Sequence, residues 1–166
     1  MSYHEIIEDL RDGKIPTNIN PAKRHYWPRF AFHFTDINNA VNILKDGKLI
    51  SRELASNMHS MSNDNASQEV INQTEDFVEK NVRLYFRPRT ATQYYNEGFQ
   101  TRAIRKRLDF QADCPVPIFF LFDLESLLEQ PGVQFSARSL AVKNYGRLMS
   151  TADDFANLPF SDIYSD

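Results

Sequence analysis

The sequence predicts a mixed α+β domain, and three observations carry that prediction. Short aromatic or apolar runs of strand type, Arg29 to Phe34, Val82 to Arg87, Val116 to Phe122 and Val133 to Phe135, alternate with segments of helical spacing. The intervals between them are irregular, unlike the even strand–helix–strand repeat of a parallel α/β sheet. A chain of 166 residues with 42% hydrophobic and 13% aromatic content, 13 Phe against 5 Gly, suffices for one packed core. The same numbers exclude a disordered, collagen-like or low-complexity chain.

The first helix is predicted from Tyr3, Ile6, Ile7 and Leu10, which fall on one face before Gly13 and Pro16 stop it. Thr17 to Pro28 reads as irregular, and the aromatic strand Arg29 to Phe34 follows. Thr35 or Asp36 caps a second helix in which Ile37, Val41 and Leu44 share a face, with Gly47 at its stop. Leu49 to Ser51 is a short extended piece, and Ser56 to Asn65 is a polar loop. Ser67 caps a helix to about Glu79, and Val82 to Arg87 is a strand closed by Pro88. Val116 to Phe122 is apolar on both faces and is predicted to be central. Asp123 caps a short helix, Leu124 to Glu129, and Pro131-Gly132 turns into Val133 to Phe135. A last helix lies around Asp153 to Asn157, before an uncapped tail, Ile163 to Asp166.

Composition also bounds the function. No apolar run approaches the roughly 20 residues of a membrane span. The opening Met1-Ser2-Tyr3-His4-Glu5 is no secretory signal, so a soluble, cytoplasmic protein without membrane association is expected. The single cysteine, Cys114, rules out an internal disulfide and a multi-cysteine zinc site, and reads as an ordinary buried thiol. Net charge is −3, which argues against a generic nucleic-acid coat. Yet Val82 to Arg107 holds seven basic residues against one acid, while four acids and no base follow Arg147. Such asymmetry marks either an anion footprint or a solvated arginine-rich face.

Zinc signatures, a Walker loop, a dinucleotide fingerprint and a Gly-x-Ser-x-Gly elbow are all missing, and no metal is expected. Two places stand out. His33 and Thr35 lie two apart at a strand end, so imidazole and hydroxyl face the same side. The plain structural reading is a histidine closing a strand and a threonine capping a helix. The second place is Tyr85-Phe86-Arg87-Pro88-Arg89-Thr90, with Gln93, Tyr94 and Tyr95 close behind. Guanidinium forks suit diphosphate oxygens and tyrosines suit stacking on a nucleobase, while proline turns Arg89 off the sheet edge. A charged, solvated corner is the competing reading.

These residues carry a resemblance. His33-Phe34-Thr35-Asp36-Ile37-Asn38-Asn39, with Ile43-Leu44 and Gly47, resembles the N-terminal signature of the DarT family. Asp64-Asn65-Ala66-Ser67 with Val70-Ile71 is similar to a following family segment. Val82 to Thr90 with Gln93-Tyr94 and Asn96-Glu97-Gly98 resembles its arginine motif, and Val116 to Asp123 and Phe135-Ser136 its central strands. The similarity runs over about residues 29–163, with 1–28 an N-terminal helix and lead-in, all within one domain, 1–166. DarT proteins are bacterial toxins that use NAD to ADP-ribosylate bases of single-stranded DNA, a mark that a macrodomain antitoxin, DarG, reverses.

The resemblance implies an ADP-ribosyltransferase-like mixed β core cleft by an NAD site. By position, His33, Phe34, Thr35 and Tyr85 would contact NAD, and Arg89 would be the catalytic arginine on its pyrophosphate. Arg87, Gln93, Tyr94, Arg102, Arg105, Lys106 and Arg107 would meet the DNA strand, by phosphate contact and stacking. The family carries its catalytic glutamate in a block just after a motif like Phe160-Ser161-Asp162-Ile163-Tyr164, and the sequence given runs to Asp166. A fragment, a natural truncation or a substitute acid would each account for this, and Glu97, Glu125 and Glu129 do not occupy the family's place. Two other readings stand beside the transferase. One is a truncated or inactive module that binds NAD or single strands. The other is a nuclease-like or RNA-binding protein using Arg102 to Arg107, marked by steep salt dependence and indifference to NAD.

Overall fold

The computed structural model describes residues 1–59, 61–62, 76–90, 93, 114, 116–140 and 145–166. Helix α1 spans Tyr3–Asp12 and is closed at both ends by its own sequence. Ser2 Oγ accepts from the Glu5 amide at 3.2 Å, and the Glu5 carboxylate accepts from the Ser2 amide at 2.7 Å. Gly13, at φ 77°, takes the left-handed cap and donates to the Asp9 and Leu10 carbonyls. The buried face is Ile6, Ile7 and Leu10, as the spacing predicts.

The stretch expected to be irregular is half helical. Asn20 caps α2 (Pro21–Tyr26), with proline at the first position, and a 3₁₀ turn, Trp27–Arg29, leads into the sheet. Strand β1 (Phe30–Asp36) pairs antiparallel with β2 (Pro117–Asp123), from Phe30 opposite Asp123 to Asp36 opposite Pro117. On the other side of β1, Phe32 and Tyr85 exchange hydrogen bonds of 2.7 and 2.8 Å.

This corrects three strand expectations. Among the described residues β1 has neighbours on both sides and β2 on one, so β1 is the central segment of the described sheet. Leu121 of β2 is 51% exposed, and an apolar run alone does not tell a central strand from one with an open face. Among the described residues Val82 to Arg87 pairs only at Tyr85, and bends at residues 86–88 take the chain off the ladder. The third strand, Val133 to Phe135, reduces to one bridge from Phe135 to Met149.

Helix α3 (Ile37–Asp46) is capped by Asp36, whose carboxylate accepts from the Asn38 amide at 2.8 Å; Thr35 is not the cap. The shared face of Ile37, Val41 and Leu44 is turned outward, with Leu44 69% exposed. Asn39 and Ala40 are buried instead, and Asn39 Oδ1 accepts from the Ser62 amide at 2.7 Å. Helix α4 (Arg52–Asn57), capped by Ser51, occupies the ground between the expected extended piece and the polar loop. Of the predicted Ser67 to Glu79 helix only α5 (Asp76–Glu79) is described, and the rest lies outside the described residues. Helices α6 (Leu124–Leu128) and α7 (Ala152–Ala156) stand where expected, capped by Asp123 and Thr151.

The tail is the largest departure. Phe160–Ile163 forms helix α8, and Tyr164, fully buried, stacks on Phe160 at 6.0 Å with planes 10° apart. It joins α1, Ile19, Ala31, Leu124, Leu128, Phe135, Phe155 and Leu158 in one core. The Tyr164 hydroxyl is buried with no hydrogen-bond partner among the described residues, and burial pushes its pKa up. An unpartnered buried hydroxyl costs stability. Tyr164→Phe is therefore expected to leave the fold intact and add up to about 1 kcal/mol, measured by urea unfolding. A loss of stability in that variant would show that the hydroxyl has a partner.

Candidate functional site

The middle of β1 carries the histidine, opposite Phe120 of β2. Along it, Ala31, His33 and Thr35 point to one face and Phe30, Phe32 and Phe34 to the other, since side chains alternate on a strand. Ala31 reaches the core, Thr35 is buried, and His33 is half-buried beyond the core's edge. His33 Nδ1 lies 3.2 Å from the Arg83 carbonyl oxygen. A carbonyl only accepts, so Nδ1 carries the proton and Nε2 is left as an acceptor.

Burial lowers the His33 pKa from 6.5, and the Arg83 charge acts the same way, against the opposing bond to the Arg83 carbonyl. The imidazole is neutral at pH 7. The unfolded chain takes up this proton near pH 6.5 while the folded chain resists it. Stability therefore falls as pH drops below that value and levels off under the folded pKa. His4, on α1, shifts upward through its 2.9 Å bond to Glu125 and contributes with opposite sign. The melting temperature of wild type minus that of His33→Gln cancels the His4 term. This difference is expected to fall from about pH 7.5 to about pH 5.5, and a flat difference would contradict a buried neutral His33.

The opposite face is aromatic. Phe34 stacks on Tyr85 at 5.9 Å with planes 29° apart and lies 6.2 Å from Phe119. The fold thus brings together His33 with Thr35 on one face and Phe34 with Tyr85 on the other. Because residue 85 pairs antiparallel with residue 32, the chain after Tyr85 runs back toward the start of β1. Arg89 accordingly leaves the sheet at the Phe30 end of β1, away from Thr35.

At that corner Phe86 packs into the core against Phe155 and Phe135, at 5.9 and 6.4 Å. Arg87, half-buried, donates from Nη1 to Ser165 Oγ at 2.8 Å and to the Ser165 carbonyl at 3.3 Å. Pro88 follows, and Arg89 is exposed. Asp166 is ion-paired with Lys23 and accepts from the Asn20 amide at 3.0 Å. These contacts, Lys23 first, hold its carboxyl below the usual range, and the charge of Arg89 adds a smaller pull. Gln93 is buried, its amide donating to Thr90 Oγ1 at 3.1 Å. Tyr94, Arg102, Arg105, Lys106 and Arg107 lie outside the described residues.

The Ser165–Arg87 and Asp166–Lys23 contacts have no signal in the sequence, since they join segments far apart in the chain. Elsewhere a cleft of about 490 Å³ is lined by Arg138, Tyr145, Arg147 and their neighbours, and none of the expected site residues borders it. Among the described residues no group of three metal-ligating side chains gathers.

The chain's mixed α+β fold, with a half-buried histidine and an exposed arginine after a proline, is of the ADP-ribosyltransferase-like class by its family match. The model of one family, DarT, described as single-stranded-DNA thymidine ADP-ribosyltransferase, matches residues 32–165, most of the chain. The chain belongs to the DarT family. No curated protein and no solved structure matches it significantly. The family is one of toxins, its acceptor is thymidine in single-stranded DNA, and ADP-ribosyl transfer implies NAD as co-substrate.

Proposed function

We propose that this chain binds NAD at the end of β1 and the arginine corner and transfers ADP-ribose to thymidine in single-stranded DNA. The carrying observation is that one family match, over 32–165, contains both the His-Phe-Thr stretch of β1 and the Arg-Pro-Arg corner, on segments joined by the Phe32–Tyr85 pair. In the reaction the bond between nicotinamide and ribose breaks, nicotinamide leaves, and the base bonds to the ribose carbon as it gives up a proton. Positive charge builds on the ribose, so fixed contacts to the adjacent pyrophosphate hold the reacting carbon in place. Arg89 supplies that contact. His33 Nε2 accepts from a ribose hydroxyl, and the Phe34–Tyr85 pair stacks on the other face of β1, behind it.

Gln93, Tyr94 and the Arg102, Arg105, Lys106 and Arg107 cluster are assigned to the DNA strand under this reading, whereas Arg87 is engaged by Ser165. The described part of residues 1–28 shares its core with the matched region through Ile6, Ile7, Leu10 and Ile19, which supports one domain. No helix among the described residues is long and apolar enough to cross a membrane. The proposed setting is the bacterial cytoplasm, with a macrodomain antitoxin removing the mark.

The test is mass spectrometry of single-stranded oligonucleotides after incubation with NAD and this chain. A gain of one ADP-ribose on thymidine-containing strands, absent from strands without thymidine, is the expected result. Bound NAD beside unmodified DNA would favour the binding-only reading. Absence of both NAD binding and modification would overturn the proposal.

A further inference from the structure

We propose that Arg87 is a positioning residue, which clamps onto Ser165 and so fixes the Pro88 corner that aims Arg89. The inference rests on the NAD reading of Arg89 and departs from the assignment of Arg87 to DNA.

The segment is pinned at three successive residues. Tyr85 is held by its paired hydrogen bonds to Phe32, Phe86 by the rings of Phe135 and Phe155, and Arg87 by Ser165. Only Pro88 then separates the last anchor from Arg89. Proline fixes its own φ and restricts the residue before it, so the direction set at Arg87 carries into Arg89. A one-residue spacer of any other kind would transmit less.

The anchor is itself rigid. Ser165 Oγ donates to the Asp162 carbonyl at 3.1 Å, which leaves its lone pairs for Arg87. Asn18 pairs with Ser165, its amide donates to the Tyr164 carbonyl at 2.9 Å, and its side-chain amide donates to the Ser161 carbonyl at 3.0 Å. Tyr164, immediately before, is fully buried on Phe160. The Arg87 guanidinium therefore grips a segment tied into the core, where an arginine serving a phosphate backbone presents its donors to solvent. The neighbouring Asp166, held by Lys23 and Asn20, sets a fixed negative charge on the Arg89 side of the clamp.

The experiment titrates the whole chain with NAD by calorimetry and with an oligothymidine strand by fluorescence anisotropy at two salt concentrations. Melting temperature is recorded for each variant. Arg87→Ala is expected to weaken NAD binding about tenfold while the oligothymidine affinity and its salt slope stay unchanged. Ser165→Ala, which removes one acceptor and keeps the carbonyl, is expected to weaken NAD about threefold at nearly unchanged melting temperature. The double variant is expected to be no worse than Arg87→Ala, since the two side chains act through one contact. Should Arg87→Ala not fold, the Ser165→Ala titration alone decides.

Unchanged NAD affinity in a folded Arg87→Ala or in Ser165→Ala overturns the proposal. A shallower salt slope for the oligothymidine in Arg87→Ala would return the residue to the DNA. If the unaltered chain bound no NAD, the functional reading itself would fall, an outcome separate from any difference between variants.

Discussion

Replacing Phe155 by alanine is expected to remove about 3–5 kcal/mol of stability. The ring is fully buried and meets Tyr3, Phe86, Phe135 and Phe160 at centroid distances of 5.7, 5.9, 5.6 and 5.2 Å. Those rings come from α1, the arginine segment, the Phe135 bridge and α8, so one truncation loosens four parts of the chain. The cavity left cannot be filled by a single neighbour moving, because each is an aromatic ring fixed by its own backbone. A domain holds only about 5–15 kcal/mol in all, so the variant stands near the edge of folding at 37 °C. A melting temperature lowered by about 10–15 °C is the corresponding shift for this chain length. Leu44→Ala, on the outward face of α3, is the comparison and is expected to stay within about 0.5 kcal/mol of wild type. A loss in Phe155→Ala as small as that would mean the four segments do not share one core.

The helices were legible where their ends carry chemistry that acts locally. Asp36, Asp123 and the glycines at 13 and 47 are signals within four residues of what they control, and the Ser2–Glu5 capping box is another that the apolar spacing of α1 did not need. Asn20-Pro21 is a signal of the same kind, and the polar composition around it hid α2. Pairing was less legible. A strand's hydrogen-bond partner is chosen by distant segments, so the apolar run at Val116 to Phe122 named a strand without naming its neighbour. The outward turn of Ile37, Val41 and Leu44 shows the limit of periodicity. Three apolar residues shared a face, but Asn39, bonded to Ser62, and Ala40 are the buried ones. At the site, period-two alternation correctly put His33 and Thr35 on one face. The Arg87–Ser165 clamp spans 78 residues and leaves no local trace.

Arg89→Ala is expected to weaken NAD binding about a hundredfold, the effect of losing two charge-assisted hydrogen bonds to the pyrophosphate. The size follows from the fork: a guanidinium holds two oxygens at once, whereas a lysine ammonium is a point charge. Arg89→Lys should therefore recover part of the loss, to about tenfold below wild type, and a full recovery would mean that charge alone is needed. The position separates function from fold cleanly. Arg89 is exposed and outside the core, so its removal should leave the melting temperature within error of wild type. Phe155→Ala should do the reverse, with the fold weakened and NAD still bound by the fraction that remains native. The competing role for an exposed arginine in a basic segment is a phosphate of the DNA. That role predicts unchanged NAD affinity and an oligothymidine salt slope reduced by about 0.7, the share of one single-strand phosphate. The two titrations, run on the same variant, divide these outcomes. Because Asp166 lies within electrostatic reach of Arg89, Asp166→Asn also tests the corner. Removing that negative charge should leave NAD binding equal or slightly tighter if Arg89 serves the pyrophosphate, since the guanidinium no longer has a competing anion beside it.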